Sequence, residues 1–222
     1  MNKTLLRILL LSLVLLVLFI SDILLGTVTI PLSEFFGFLN GHSFSHPSFE
    51  AIILHYRLPK ALTACFAGSA LAVSGLLMQS FFRNPLAGPY VLGISSGASL
   101  GVALLLLFFS GSFLLSVPLA ASLGSFLVLV CMIWASKKFN SSVSLLILGL
   151  MISYLTGALV GVLQYFSSSE EIQSFVLWGM GSFAKTQWLD LQIMLPVLVL
   201  GLLFAYSRSK ALNSLLLGES YA

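Results

Sequence analysis

The chain has 222 residues, of which 59% are hydrophobic and only 8% charged, with a mean hydropathy of +1.08. Soluble domains carry ~25% charged residues, so this composition excludes an ordinary water-soluble globule and predicts an all-α polytopic membrane protein. The formal charge of +3 comes from cations scattered singly at the ends of apolar runs, which excludes a nucleic-acid-binding face.

Taken in chain order, Lys3 and Arg7 precede an apolar run over 5–25 that superficially resembles a secretory leader. The run is long enough to span a bilayer and no small-x-small cleavage site follows it, so it is read as the first span. Residues 27–55 form a polar connection holding Glu34, Glu50 and all three histidines. His42 and His46 are four apart, a spacing that on a helix presents two imidazoles to haem or metal. Gly41, two serines and Pro47 argue against a helix there, and loop histidines are the preferred reading, with no metal or cofactor assigned.

A second span is expected over 58–81, with Ala64, Gly68 and Ala72 in a small-residue row. A hinge follows at Arg83, Asn84, Pro85, Leu86, Ala87, Gly88 and Pro89, where two prolines each disfavour helix in the preceding residue. The third span, 91–109, carries Gly93, Gly97 and Gly101 at four-residue intervals, a stripe that lets another helix backbone approach. A turn at 110–112 leads to a fourth span over 113–135, with Ser116, Ala120 and Gly124 in register, closed by Lys137 and Lys138. The fifth span, 145–166, has the most continuous small face, Gly149, Ser153, Gly157 and Gly161; close packing is its default reading. Residues 167–190 are polar and amphipathic, with Phe175, Trp178 and Trp188 suited to a membrane boundary. A sixth span over 189–207 precedes an interfacial segment, 211–222, where Leu212, Leu215 and Leu216 share one side and Gly218 and Glu219 end or turn the helix. Cys65 and Cys131 lie far apart inside apolar spans and read as packing residues.

With a cytoplasmic amino terminus, seven cations (Lys3, Arg7, Arg83, Lys137, Lys138, Arg208, Lys210) lie inside and three (Arg57, Lys60, Lys185) outside. This satisfies the positive-inside tendency, and an even number of spans places both termini of the chain in the cytoplasm.

Gly93-Ile94-Ser95-Ser96-Gly97 matches the G-x-S-x-G pattern, but no strand precedes it and no histidine follows His55, so a hydrolase elbow is rejected. The sequence has neither a Walker A motif nor H-E-x-x-H, so the chain is not read as an enzyme and energy must come from a partner. Spans two to six lack ionisable groups near their centres, which disfavours a secondary transporter. A non-transporting scaffold that binds a helix bundle through its glycine stripes is the rival reading.

The stretch RLPKALTACFAGSALAVSGLLMQSFFRNPLAGPYVLGISSGASLG, from Arg57 to Gly101, resembles the signature of permease subunits in ABC importers for iron siderophores, haem and cobalamin. Residues 145–149, WGMGS at 178–182 and LNSLLLGESYA at 212–222 fall in the family's order. Gly88 stands where the family usually has an acid, and the chain stops where a family member continues.

The resemblance implies a single transmembrane permease domain over 1–222, incomplete at its end, with six spans and part of a cytoplasmic coupling helix. It implies a homodimer in the cell inner membrane, cytoplasmic ABC ATPase subunits and an extracytoplasmic solute-binding protein. Arg57 and Lys60 would face acidic residues of the binding protein, although snorkelling anchors are the plain alternative. Residues Ser141, Ser142, Gly149, Ser153, Gly157 and Gly161 would line the translocation path. Leu212, Leu215, Leu216, Gly218 and Glu219 would meet the ATPase, where a peripheral amphipathic tail is the commoner case. The stop inside a motif predicts an incomplete chain, one half of a split permease, or a remnant.

Overall fold

The apolar runs are helices in the computed structural model, which describes residues 3–41, 44, 46–109, 116–139 and 141–217. In order these are α1 (Lys3–Leu24), α2 (Leu32–Leu39), α3 (Pro47–Ala51), α4 (Leu58–Phe82), α5 (Ile94–Ala103), α6 (Val117–Ser136), α7 (Ser142–Phe166), α8 (Ser169–Gly179), α9 (Trp188–Ser207) and α10 (Ser209–Leu217). Two π-helical turns, Ile52–Arg57 and Leu104–Phe108, continue α3 into α4 and extend α5. No strand occurs among the described residues.

Among the described residues, five helices are long and apolar enough to cross a membrane: Lys3–Leu24, Pro47–Phe82, Val117–Ser136, Val143–Phe166 and Trp188–Ser207. The second is 36 residues long and begins well before the expected 58. Pro47 sits in its first turn after an extended His46, a position where the missing N–H is no loss and the fixed φ favours helix. The connection expected over 27–55 is thus largely helical, with α2 and α3 inside it. His46 itself is not helical; His42 lies outside the described residues.

The third expected span is shorter than the sequence suggests. Gly93 has φ +74, so the helix cannot begin before Ile94, and Val91 and Gly93 donate instead to Gly88 and Tyr90 in turns. Ten α-helical and five π-helical residues remain, roughly 22 Å at 1.5 Å per residue, against a hydrocarbon core of ~30 Å. The turn expected at 110–112 lies outside the described residues.

The helices gather into two compact units, residues 1–70 with 183–204 and residues 71–182 with 205–222. In the first, Ile23, Leu24, Ile30, Phe44, Ile53 and Ala61 form the core. The second has two cores. Phe82, Ala87, Val128, Met132 and Leu145 close one, and Val102, Ala103, Leu107, Val160 and Phe175 the other.

Phe175 reaches its core from α8, which starts with a capping box. Ser168 accepts from the Glu171 amide, and the Glu171 carboxylate accepts from the Ser168 amide at 2.9 Å. Ser168→Ala is expected to remove about 1 kcal/mol from this helix start. Hydrogen exchange should quicken at the first-turn amides of α8, and unchanged protection would contradict the capping role.

Candidate functional site

Three glycines and an alanine bring α5 and α6 to backbone contact. A Cβ on Gly97 would stand 2.6 Å from the Gly124 carbonyl oxygen, and one on Gly124 would overlap the Gly97 carbonyl oxygen. A Cβ on Gly101 would overlap the Ala120 carbonyl oxygen. Alongside runs a half-open crevice of about 270 Å³ lined by groups such as Leu100, Leu104, Leu123 and Leu127, which offers almost no polar grip. The glycine stripe of the third span and the small row of the fourth therefore meet each other.

Residues in the turn before α5 and in its first turn also hold α7. A Cβ on Gly149 would overlap the Val91 carbonyl oxygen and stand 2.9 Å from Leu92 Cα. Four residues on, Ser153 Oγ donates to the Gly149 carbonyl at 2.9 Å and accepts from Ser96 Oγ at 3.0 Å. Gly157 and Gly161 differ: nothing lies within 4 Å of where their Cβ atoms would stand. A four-residue step advances 400°, so the row winds ~40° per step and ~120° over its length. Gly149 and Ser153 consequently serve packing within the chain, and only Gly157 and Gly161 remain on an open face, near exposed Tyr154 and Tyr165. Of the path residues expected at the start of α7, Ser141 is the exposed, extended N-cap, and the Ser142 side chain lies outside the described residues.

The hinge is a compact turn. Arg83 adopts φ +48, Asn84 Oδ1 accepts from the Leu86 amide at 2.9 Å, and the Ala87 amide donates to the Asn84 carbonyl at 3.0 Å. Pro85 is exposed and Pro89 half-buried, with Pro89 Cδ 3.9 Å from where a Cβ on Gly75 would stand. In α10, Leu212 and Leu215 are half-buried and Leu216 exposed; Gly218 and Glu219 lie outside the described residues.

The charged end of α1 carries geometry that sequence spacing did not reveal. Arg57 is 8% exposed, and its guanidinium donates to the carbonyls of Ile23 and Leu24, both at 2.8 Å, and to that of Val28. It thereby satisfies the last carbonyls of α1 and places positive charge at the negative end of that helix. Gly26 makes room, since a Cβ there would stand 2.5 Å from Arg57 Nη2. Lys60 pairs instead with Asp22 at 2.8 Å.

The π turn explains a further contact. The Leu58 amide donates to Ile53 five residues back; the next acceptor in that pattern, the Leu54 carbonyl, faces Pro59, which has no N–H. Trp188 Nε1 fills the vacancy at 2.8 Å. Asp22, Gly26 and Trp188 were not singled out for these roles by sequence; the available signal was an acid near the end of an apolar run, followed by a glycine.

A family model for the FecCD transport family matches residues 13–222. The chain belongs to that family. This FecCD-family chain is 42% identical over 180 residues to the hemin transport system permease protein HmuU of Yersinia pestis, covering 77% of this chain and 53% of HmuU. It is 38% identical over 179 residues to the molybdate import system permease protein MolB of Haemophilus influenzae, covering 79% and 52% of the two chains. Against the vitamin B12 import system permease protein BtuC of Escherichia coli the identity is 32% over 176 residues, covering 79% and 54%. The chain thus spans about half the length of the curated relatives it matches. A solved metal-chelate type ABC transporter in an inward-facing conformation superposes with a TM-score of 0.81 at 32% identity, covering 95% of this chain and 64% of that one. The FecCD-family chain therefore has the polytopic helical fold of ABC permeases.

Proposed function

We propose that this chain is a permease component of an ATP-driven, binding-protein-dependent ABC importer in the cell inner membrane, carrying a metal-bearing solute such as a ferric siderophore or haem. The observation that carries the reading is the family match over 13–222, together with relatives named for transport of hemin and import of molybdate and vitamin B12, solutes that all contain a metal. In this reading two copies pair and the open α7 faces at Gly157 and Gly161 flank the path, with Ser141 and Ser142 at its cytoplasmic mouth. ATP is hydrolysed in separate cytoplasmic subunits that press on α10 and the Gly218-Glu219 segment. The binding protein docks at the opposite membrane face, where Lys60 is half-exposed while Arg57 is buried. ATP can shift the outward-to-inward equilibrium only through differential affinity for the two states.

The test is to express the chain with a candidate ABC ATPase and solute-binding protein and reconstitute the purified assembly. Co-purification, ATP hydrolysis stimulated by loaded binding protein, uptake of hemin or a ferric chelate, and loss of the complex in Glu219→Arg are expected. A monodisperse chain that neither associates with the ATPase nor supports uptake would overturn the reading in favour of a membrane scaffold.

A further inference from the structure

Asp22 stands in the last turn of α1, where the helix carbonyls point and an acid is disfavoured by the dipole; that turn has no basic residue of its own. Compensation comes from far along the chain, Arg57 on the carbonyls and Lys60 on the carboxylate. The two cations are held in different ways. Arg57 is buried and its planar fork spans three carbonyls, an arrangement that cannot turn outward without stranding the end of α1. Lys60 makes one 2.8 Å contact with Asp22, and the two side chains are 40% and 37% exposed. A half-exposed pair of this kind is weak and solvent-screened, and an ammonium is a point charge that changes partners without geometric registry.

We propose that Asp22 is an internal competitor for a docking cation: it holds Lys60 in the undocked chain, and a carboxylate on an acidic protein surface takes Lys60 from it. This rests on the docking reading above and assigns the exchange to Lys60 alone, with Arg57 a fixed staple. Asp22 also repels an incoming acid, so it sets how strongly, and with what placement of charge, a partner must bind before the pair yields.

The experiment uses the full chain in zwitterionic phosphatidylcholine nanodiscs, with a fluorescent oligoglutamate peptide as probe at low ionic strength. Wild type, Asp22→Asn, Lys60→Gln and the double variant are compared, with Asp22→Ser as a second uncharged replacement should Asp22→Asn fold poorly. Removing the competitor is expected to tighten binding about two- to fivefold, the range set by a weak exposed ion pair. In the Lys60→Gln background the gain should fall to the small part that comes from relieving the repulsion by Asp22. Acylation of Lys60 on the native chain, read by mass spectrometry, should quicken in Asp22→Asn.

An equal gain in both backgrounds would reveal only a general charge effect and overturn the proposal. No gain, with Lys60→Gln still weakening the probe, would overturn it while leaving docking at Lys60 intact. Indifference of probe binding to Lys60 would remove the docking reading at this residue and the proposal with it.

Discussion

Gly124→Ala is expected to be among the most damaging single-methyl changes in the chain, because the added carbon has only backbone to meet. It would overlap the Gly97 carbonyl oxygen, lie 2.9 Å from the Gly97 carbonyl carbon and 3.1 Å from the Gly101 nitrogen. At Gly97 part of the conflict is with the Val128 side chain, which can rotate away; at Gly124 the helices themselves must separate. Overpacking a tight site costs about 1–3 kcal/mol, and backbone conflict places this variant at the upper end. For a chain of this size ~3 kcal/mol lowers the unfolding midpoint by roughly 6–12 °C.

Gly157→Ala and Gly161→Ala provide the contrast. Nothing stands within 4 Å of either new methyl, and replacing a helical glycine by alanine gains roughly 0.5–1 kcal/mol. Thermal unfolding in detergent micelles should therefore shift down for Gly124→Ala and up for the other two. A midpoint for Gly124→Ala equal to wild type would contradict the contact between α5 and α6.

Arg57→Ala is the second large effect. The substitution deletes the donors to Ile23, Leu24 and Val28, takes the guanidinium from the buried Ile23 carbonyl and leaves the Leu24 carbonyl only the Ile30 amide at 3.4 Å. Hydrogen bonds from a charged donor contribute about 1.5–3 kcal/mol each, not additively, so a total loss of about 3 kcal/mol or more is expected. Arg57→Lys keeps the charge but cannot span three acceptors, and should recover only part of it. Gly26→Ala forces the guanidinium to move while leaving its charge, and should fall between wild type and Arg57→Ala. Thermal midpoints that rank Arg57→Ala no lower than Lys60→Ala would contradict the staple, because Lys60 holds only a half-exposed ion pair.

What was legible in the sequence is what depends on local or summed properties. Helical class and membrane class follow from apolar content and run length, which no distant residue can cancel. The hinge was legible because Pro85, Pro89 and Asn84 act on their own neighbours. A small row at four-residue spacing was legible as a row, but not its two fates. Helical winding turns Gly149 and Ser153 onto the start of α5 and leaves Gly157 and Gly161 open, and where the row is cut depends on where another helix ends.

Helix lengths show the same division. The third span read as 91–109 from apolar content alone, whereas its start is set by the left-handed conformation of Gly93, packed against Gly149. The second span grew at its amino-terminal end because Pro47 opens a helix and a π turn lets it continue through Arg57.

The sequence by itself determined that this chain is a helical membrane protein, and the order of its motifs carried the family. Only the tertiary structure decided which of two neighbouring cations is buried on the end of α1 and which sits in a half-exposed ion pair. Arg57 and Lys60 are three residues apart and equal in sign, so no local rule separates them. Their partners lie 38 to 29 residues earlier, at Asp22, Ile23, Leu24 and Val28, and burial at that junction closes over the guanidinium while leaving the ammonium half in solvent.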